Sequence, residues 1–151
     1  MRRIEAVMLA LSAVGLITSA YLVLAEYAKV PLVCSTSGLI NCNSVIHSQY
    51  GMLFGVPVAY YGVAFFIAEI AVLLLTFNCR RIGEGIGGDI RIIYNALGVL
   101  FVLYLLYAEY VVGHICEYCT AVHIVTVLLF VSSLASIRGT KPDYYSTKNP
   151  Y

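Results

Sequence analysis

Four apolar stretches, residues 4 to 25, 57 to 77, 92 to 112 and about 116 to 137, are separated by shorter polar segments. Each is about 20 residues long, enough for a helix to cross a ~30 Å hydrocarbon core. Backbone polar groups in lipid have to be paired within the segment, so stretches of this length predict helices rather than open strands. The pattern therefore predicts an all-α integral membrane protein, a four-transmembrane-helix bundle over residues 1 to 138. Residues 139 to 151 are expected to form a polar, disordered tail.

The segment between the first two stretches, residues 26 to 56, is the longest polar stretch within the predicted bundle. Pro31 and Cys34-Ser35-Thr36-Ser37-Gly38 read as extended loop. Asn43 or Ser44 is positioned to cap a short amphipathic turn over Val45-Ile46-His47-Ser48. Gly51, Gly55 and Pro57 end that turn and open the second span, since proline is tolerated in a first helical turn. The glycine-rich segment from Gly83 to Gly88 reads as a flexible connection.

Composition agrees: 61% of the 151 residues are hydrophobic and 11% charged, with a mean hydropathy of +0.88. A formal net charge of +1 with no basic patch gives no reason to expect nucleic acid as a partner. The few cations are unevenly placed. Arg2, Arg3, Arg80, Arg81, Arg91, Arg138, Lys141 and Lys148 lie at the termini or around residues 78 to 91, against Lys29 alone in the other two connections. The positive-inside rule then makes both termini cytoplasmic and puts residues 26 to 56 and 113 to 117 on the extracytoplasmic side of a cell membrane. The alternative, a cleaved signal peptide ending near Thr18-Ser19-Ala20, fits less well because the apolar run continues through Ala25.

This orientation changes how the cysteines read. Cys34, Cys42, Cys116 and Cys119 all fall in a compartment that permits disulfides. Cys116 and Cys119 open the fourth span in the run His114-Ile115-Cys116-Glu117-Tyr118-Cys119, three residues apart and so on one helix face, within reach of a reversible disulfide. The unpaired N-H groups of a first helical turn favour a thiolate there. Cys34 and Cys42, seven residues between them, suit a static loop staple as well as a redox shuttle. The fifth cysteine, Cys79, reads as inert. No metal site is expected, because His114 and His123 find no further ligand at sensible spacing.

Other residues gather around this pair. His123 follows Cys119 by four residues and lies one turn deeper on the same stripe. An imidazole inside a membrane helix faces a cavity or a partner, so His123 is a candidate contact to an electron acceptor. Phe101, Tyr104, Tyr107 and Tyr110 recur at three-residue steps. With Tyr60, Tyr61 and Phe54 near the start of the second span, they are candidates for the wall of a flat apolar pocket, or else an interfacial belt. Glu69 has no cation at its depth and is expected to be protonated or hydrogen-bonded inside the bundle. Glu26 and Glu109 are expected near the interface, within reach of water.

The combination of C-x7-C, Cys42-Asn43-Ser44-Val45 leading through Ser48-Gln49-Tyr50-Gly51 to Phe54-Gly55-Val56-Pro57, and C-x-x-C opening the fourth span resembles the vitamin K epoxide reductase family. The resemblance covers about residues 4 to 137. It implies a four-helix bundle around a quinone, such as menaquinone, ubiquinone or a vitamin K-like ring. Cys34 and Cys42 would take electrons from a thioredoxin-fold partner, Cys42 would attack Cys116, and Cys119 would face the quinone; Ser44 matches the family's loop serine. The short loop resembles the microbial members, in which the cycle oxidises a disulfide-forming partner. His123 stands where animal members have a tyrosine, and no asparagine matches the one that contacts the quinone in those members. Only about 14 residues follow Ile137, so the thioredoxin-fold partner is expected to be a separate protein. A non-enzymatic membrane scaffold with static loop disulfides is the alternative.

Overall fold

The computed structural model describes residues 3–28, 32, 34, 38–78 and 86–138. Four long helices carry the fold: α1 (Arg3–Ala28), α3 (Val58–Asn78), α4 (Ile86–Val112) and α5 (Glu117–Arg138). All four are long and apolar enough to cross a membrane, as the hydrophobic pattern predicts. Between α1 and α3 lie a short helix α2 (Cys42–Ile46), a single 3-10 turn (Gln49–Gly51) and a minimal hairpin of β1 (Met52–Leu53) and β2 (Val56–Pro57). The hairpin pairs Met52 with Pro57 and Leu53 with Val56, leaving Phe54 and Gly55 as its two turn residues, both at positive φ (52° and 79°). Positive φ at both central residues is what lets a two-residue loop follow the strand twist.

Two boundaries differ from the pattern's prediction. The cap of α2 is Asn41 rather than Asn43 or Ser44: its side chain accepts the Ser44 N-H at 3.1 Å. Helix α4 starts at Ile86, not near 92, so Arg91 lies inside it. Arg91 is 6% exposed, and its guanidinium donates to the Ser136 hydroxyl of α5 at 3.0 Å. A cation in sequence looks like the end of a span, yet here a partner on the next helix holds it inside. Consequently Ile86 to Gly88 belong to a helix instead of a flexible connection. Cys79, Lys29, Arg80, Arg81 and the tail beyond Arg138 fall outside the described residues.

Helix α1 packs along both α3 and α5, and α4 packs along α5. The centre of the bundle is Met8 of α1, Phe66 and Leu73 of α3, and Val125 and Leu129 of α5. Gly15 permits the closest approach, since a Cβ there would overlap the Phe66 ring. Hydroxyls buried among these apolar residues are satisfied within their own helices: Ser12 donates to the Met8 carbonyl at 2.8 Å and Ser133 to that of Leu129 at 2.7 Å. Helices α3 and α4 touch far less than the other neighbouring pairs, and the space left between them is the cavity that matters for function.

Candidate functional site: a dithiol beside an apolar cavity

At one end of the bundle the α1–α3 loop is stitched to the α4–α5 turn. The Ile115 N-H donates to the Leu39 carbonyl at 2.9 Å and the Asn41 N-H to the Ile115 carbonyl at 3.2 Å, a parallel bridge between Ile40 and Ile115. Each strand of that bridge runs straight into a cysteine. Asn41 caps α2, whose first residue is Cys42; Ile115 precedes Cys116, the residue before α5. Asn43 adds a tether by accepting the Leu32 N-H at 3.4 Å. Backbone pairing thus brings together two cysteines 74 positions apart in the chain. Cys42 (1% exposed) and Cys116 (0%) lie in one apolar cluster with Leu22, Leu32 and Val45, and Cys34 and Cys119 pack against it.

The four cysteines are in two different states. Cys34 and Cys42 form a disulfide with Cα atoms 6.3 Å apart, while Cys116 and Cys119 are free thiols. Cys116 occupies the helix-capping position rather than a place inside α5. Its sulfur accepts the Cys119 N-H at 3.3 Å, and its carbonyl accepts both the N-H and the hydroxyl of Thr120 at 2.9 Å. Hydrogen bonding from the Cys119 side chain, reinforced by backbone N-H groups, holds the Cys116 thiol below its ordinary range despite burial. The turn before it closes through Gly113, at φ 73°, whose N-H reaches the Glu109 carbonyl at 3.0 Å. Glu109 then accepts the Cys116 N-H at 3.4 Å and is only 7% exposed, so it is buried, not solvated as its place near the interface suggests. Glu26 is likewise withdrawn from water, with 14% of its side chain exposed.

Inward from Cys119 the gap between α3 and α4 holds a cavity of about 240 Å³. Of the residues singled out from sequence, Cys119, His123, Tyr61 and Phe101 line it. Phe54, Tyr60, Tyr104 and Tyr107 are not among its lining residues; Phe54 is 92% exposed at the hairpin tip. The reason is geometric. Three-residue steps on a helix advance about 300°, so a stripe built from them rotates by about 60° per step. Phe101 therefore faces the cavity, Tyr104 rests against Phe101 at 6.0 Å between ring centroids, Tyr107 is turned outward and Tyr110, half a circle away, is 85% exposed. Tyr60 and Tyr61 are about 100° apart, and only the second points inward.

The wall that does form on α4 follows steps of four and three: Tyr94, Gly98, Phe101, Leu105. Tyr94 was missed in sequence, although its spacing of seven from Phe101 carried the signal. It stacks on Phe65 of α3 (centroids 4.8 Å, planes 7° apart), and its hydroxyl donates to the Phe65 carbonyl at 2.9 Å. Against this aromatic and aliphatic wall His123 stands out. It is 4% exposed, and neither ring nitrogen has a hydrogen-bond partner among the described residues. A buried polar group without a partner costs free energy comparable to a lost hydrogen bond. The cavity thus offers one thiol and one unpaired imidazole on a surface otherwise suited to a flat apolar ring.

The sequence pattern that defines the vitamin K epoxide reductase family matches residues 6–134, most of the chain. The protein belongs to the vitamin K epoxide reductase family. No curated protein matches it individually. Membership makes it a multi-pass membrane oxidoreductase of disulfide formation, in a family that works with quinones and thioredoxin-like partners. The four-helix architecture that the family implies is the one found here.

Proposed function

We propose that the protein is a membrane thiol:quinone oxidoreductase. Electrons from a separate thioredoxin-fold partner enter at Cys34/Cys42, pass to Cys116/Cys119 and leave on a quinone held in the cavity, so that the partner can go on forming disulfides. The observation that carries this reading is the division of states: a closed Cys34–Cys42 disulfide packed against a free Cys116/Cys119 dithiol, with Cys119 in the cavity wall. A scaffold held by static disulfides would have no use for the free pair beside the closed one.

The order of thiol exchange follows from burial and from which sulfurs share the cluster. Cys34 is more accessible than Cys42, so a partner thiolate attacks Cys34 and releases Cys42 as a thiol. Cys42 attacks Cys116 of a Cys116–Cys119 disulfide, forming a Cys42–Cys116 mixed disulfide and freeing Cys119. Cys34, returned to a thiol as the partner closes its own disulfide, then attacks Cys42 and frees Cys116. The loop is oxidised again, and Cys116 and Cys119 hold two electrons.

A bound quinone supplies a two-electron, two-proton acceptor. Around it the chain's residues have distinct tasks: Tyr61, Phe65 and Phe101 keep the ring flat and dry, and His123 donates a hydrogen bond to a carbonyl. Cys119 abuts the ring, and Cys116 and Cys119 close to a disulfide as the electrons leave. The positive-inside pattern further supports a cell-membrane orientation with both termini in the cytoplasm and the four cysteines outside.

Purified protein in detergent, given a dithiol and a menaquinone or ubiquinone analogue, tests the reading. Wild type should turn over and Cys119→Ala should not; equal rates in both would favour the static scaffold.

A further inference from the structure

Quinone reduction consumes two protons inside a cavity whose wall is almost wholly apolar. Resting on the quinone reading, the question is where those protons come from. A dithiol carries two, but hydrogen bonding from Cys119 favours the thiolate of Cys116, and the thiolate is the reacting form. The pair then brings two electrons and one proton.

Glu26 answers the deficit. It lines the cavity at the cysteine end, near the close of α1, and it is the one carboxylate among the lining residues. Its Oε2 is shut off from solvent and lies 3.5 Å from Nδ1 of His47. His47 in turn is 52% exposed, at the end of α2. One side chain touches the cavity, the other touches water, and they touch each other. The other titratable groups in the cavity wall, Tyr61 of α3, Tyr94 of α4 and Cys119 and His123 of α5, have no such contact with an exposed ionisable group among the described residues; Glu109 is committed to the Cys116 N-H.

We propose that the Glu26–His47 pair is the proton port of the cavity. Cys116 as thiolate and Cys119 as thiol close to a disulfide and give up two electrons and one proton; protonated Glu26 gives the second proton, and the product leaves as quinol. His47 then returns a proton from water to the Glu26 carboxylate. Atoms and charge balance without a further reactant. The same helix α2 that starts with Cys42 ends at His47, so the electron entrance and the proton entrance are built on one short element.

The test separates this proposal from the quinone reading because its first readout needs no quinone. In quinone-free protein transferred to D2O, the S-H stretch of Cys119, assigned by its loss in Cys119→Ala, reports proton exchange with the cavity by infrared spectroscopy. Glu26→Gln keeps the shape of the side chain beside His47 but cannot carry the proton; it should slow this exchange at least tenfold. His47→Gln, at an exposed position that tolerates change, should slow it as well. Both variants should lower quinone turnover while the partner dithiol still reduces Cys116–Cys119 at the wild-type rate, followed by alkylation and mass. Unchanged S-H exchange in both variants would overturn the port. So would an equal fall in dithiol exchange, which would make the pair a latch for the loop. Wild-type protein that never reduces quinone would overturn the quinone reading, with the exchange comparison still deciding the port.

Discussion

The two halves of the bundle differ in how far their buried polar side chains bond to one another. Away from the cysteines, Glu69 (0% exposed) accepts two hydrogen bonds from the Asn95 amide, both at 3.2 Å, and Arg91 is bonded to Ser136. Each of these four side chains is bonded to another, which joins α3 to α4 and α4 to α5, although Arg91 Nε and Asn95 Oδ1 have no partner among the described residues. At the cysteine end His123 is also buried but has no hydrogen-bond partner among the described residues, and Glu26 lines the apolar cavity. Polar groups that satisfy one another fix helices in place. Polar groups left unsatisfied beside a cavity are kept for something that enters it.

That contrast can be broken most forcefully in the half whose polar side chains bond across helices. Asn95→Leu removes the donor to a buried carboxylate and should cost about 1–3 kcal/mol of stability, measured by denaturant unfolding in detergent, while turnover per folded molecule stays near wild type. His123→Phe should do the reverse: stability unchanged or raised, because an unpaired polar group is removed, with quinone turnover or its KM worsened about tenfold, the worth of one hydrogen bond of about 1.4 kcal/mol. If His123→Phe unfolds the protein as Asn95→Leu does, the distinction between the halves fails. Gly98→Ala sharpens the boundary between them. Its Cβ would meet the Phe65 ring at 2.7 Å and the Thr126 methyl at 3.1 Å, so the stacked Phe65–Tyr94 pair has to shift. A ring edge can yield, and the expected cost is about 1 kcal/mol in thermal unfolding together with weaker binding of a quinone analogue.

The smallest effect concerns Cys116. Its pKa is lowered, so the thiolate persists to more acidic pH than in a free cysteine, and losing the Cys119 side chain should move the titration midpoint up. Thiolate ultraviolet absorbance would show this in a background with Cys34, Cys42 and Cys79 replaced by serine. A midpoint unmoved or lowered by Cys119→Ala would place the cause in the backbone N-H groups alone.

Much of this was legible in the chain, and the failures have physical causes. The four spans, the C-x-x-C at the start of α5 and the inward-facing His123 follow from helix length and spacing. Arg91 concealed the start of α4 because a buried cation is recognisable only once Ser136 is seen opposite it. The tyrosine stripe misled because a period of three drifts around a helix whose period is 3.6; Tyr94 and Gly98, at the correct period, were the better guide. Glu109 and Glu26 looked solvated because nothing local reveals that the loop and the α4–α5 turn fold over them. The joining of Cys42 to Cys116 depends on two backbone hydrogen bonds between distant segments, for which no spacing rule exists.

The relay between those two cysteines is most directly tested by trapping it. With Cys34 and Cys119 both replaced by alanine, neither thiol able to resolve a Cys42–Cys116 disulfide is left, so mild oxidation should join those two sulfurs and the bond should persist. Non-reducing peptide mass analysis should find a Cys42–Cys116 cross-link. Cys42 and Cys116 both still alkylatable after oxidation would contradict the account.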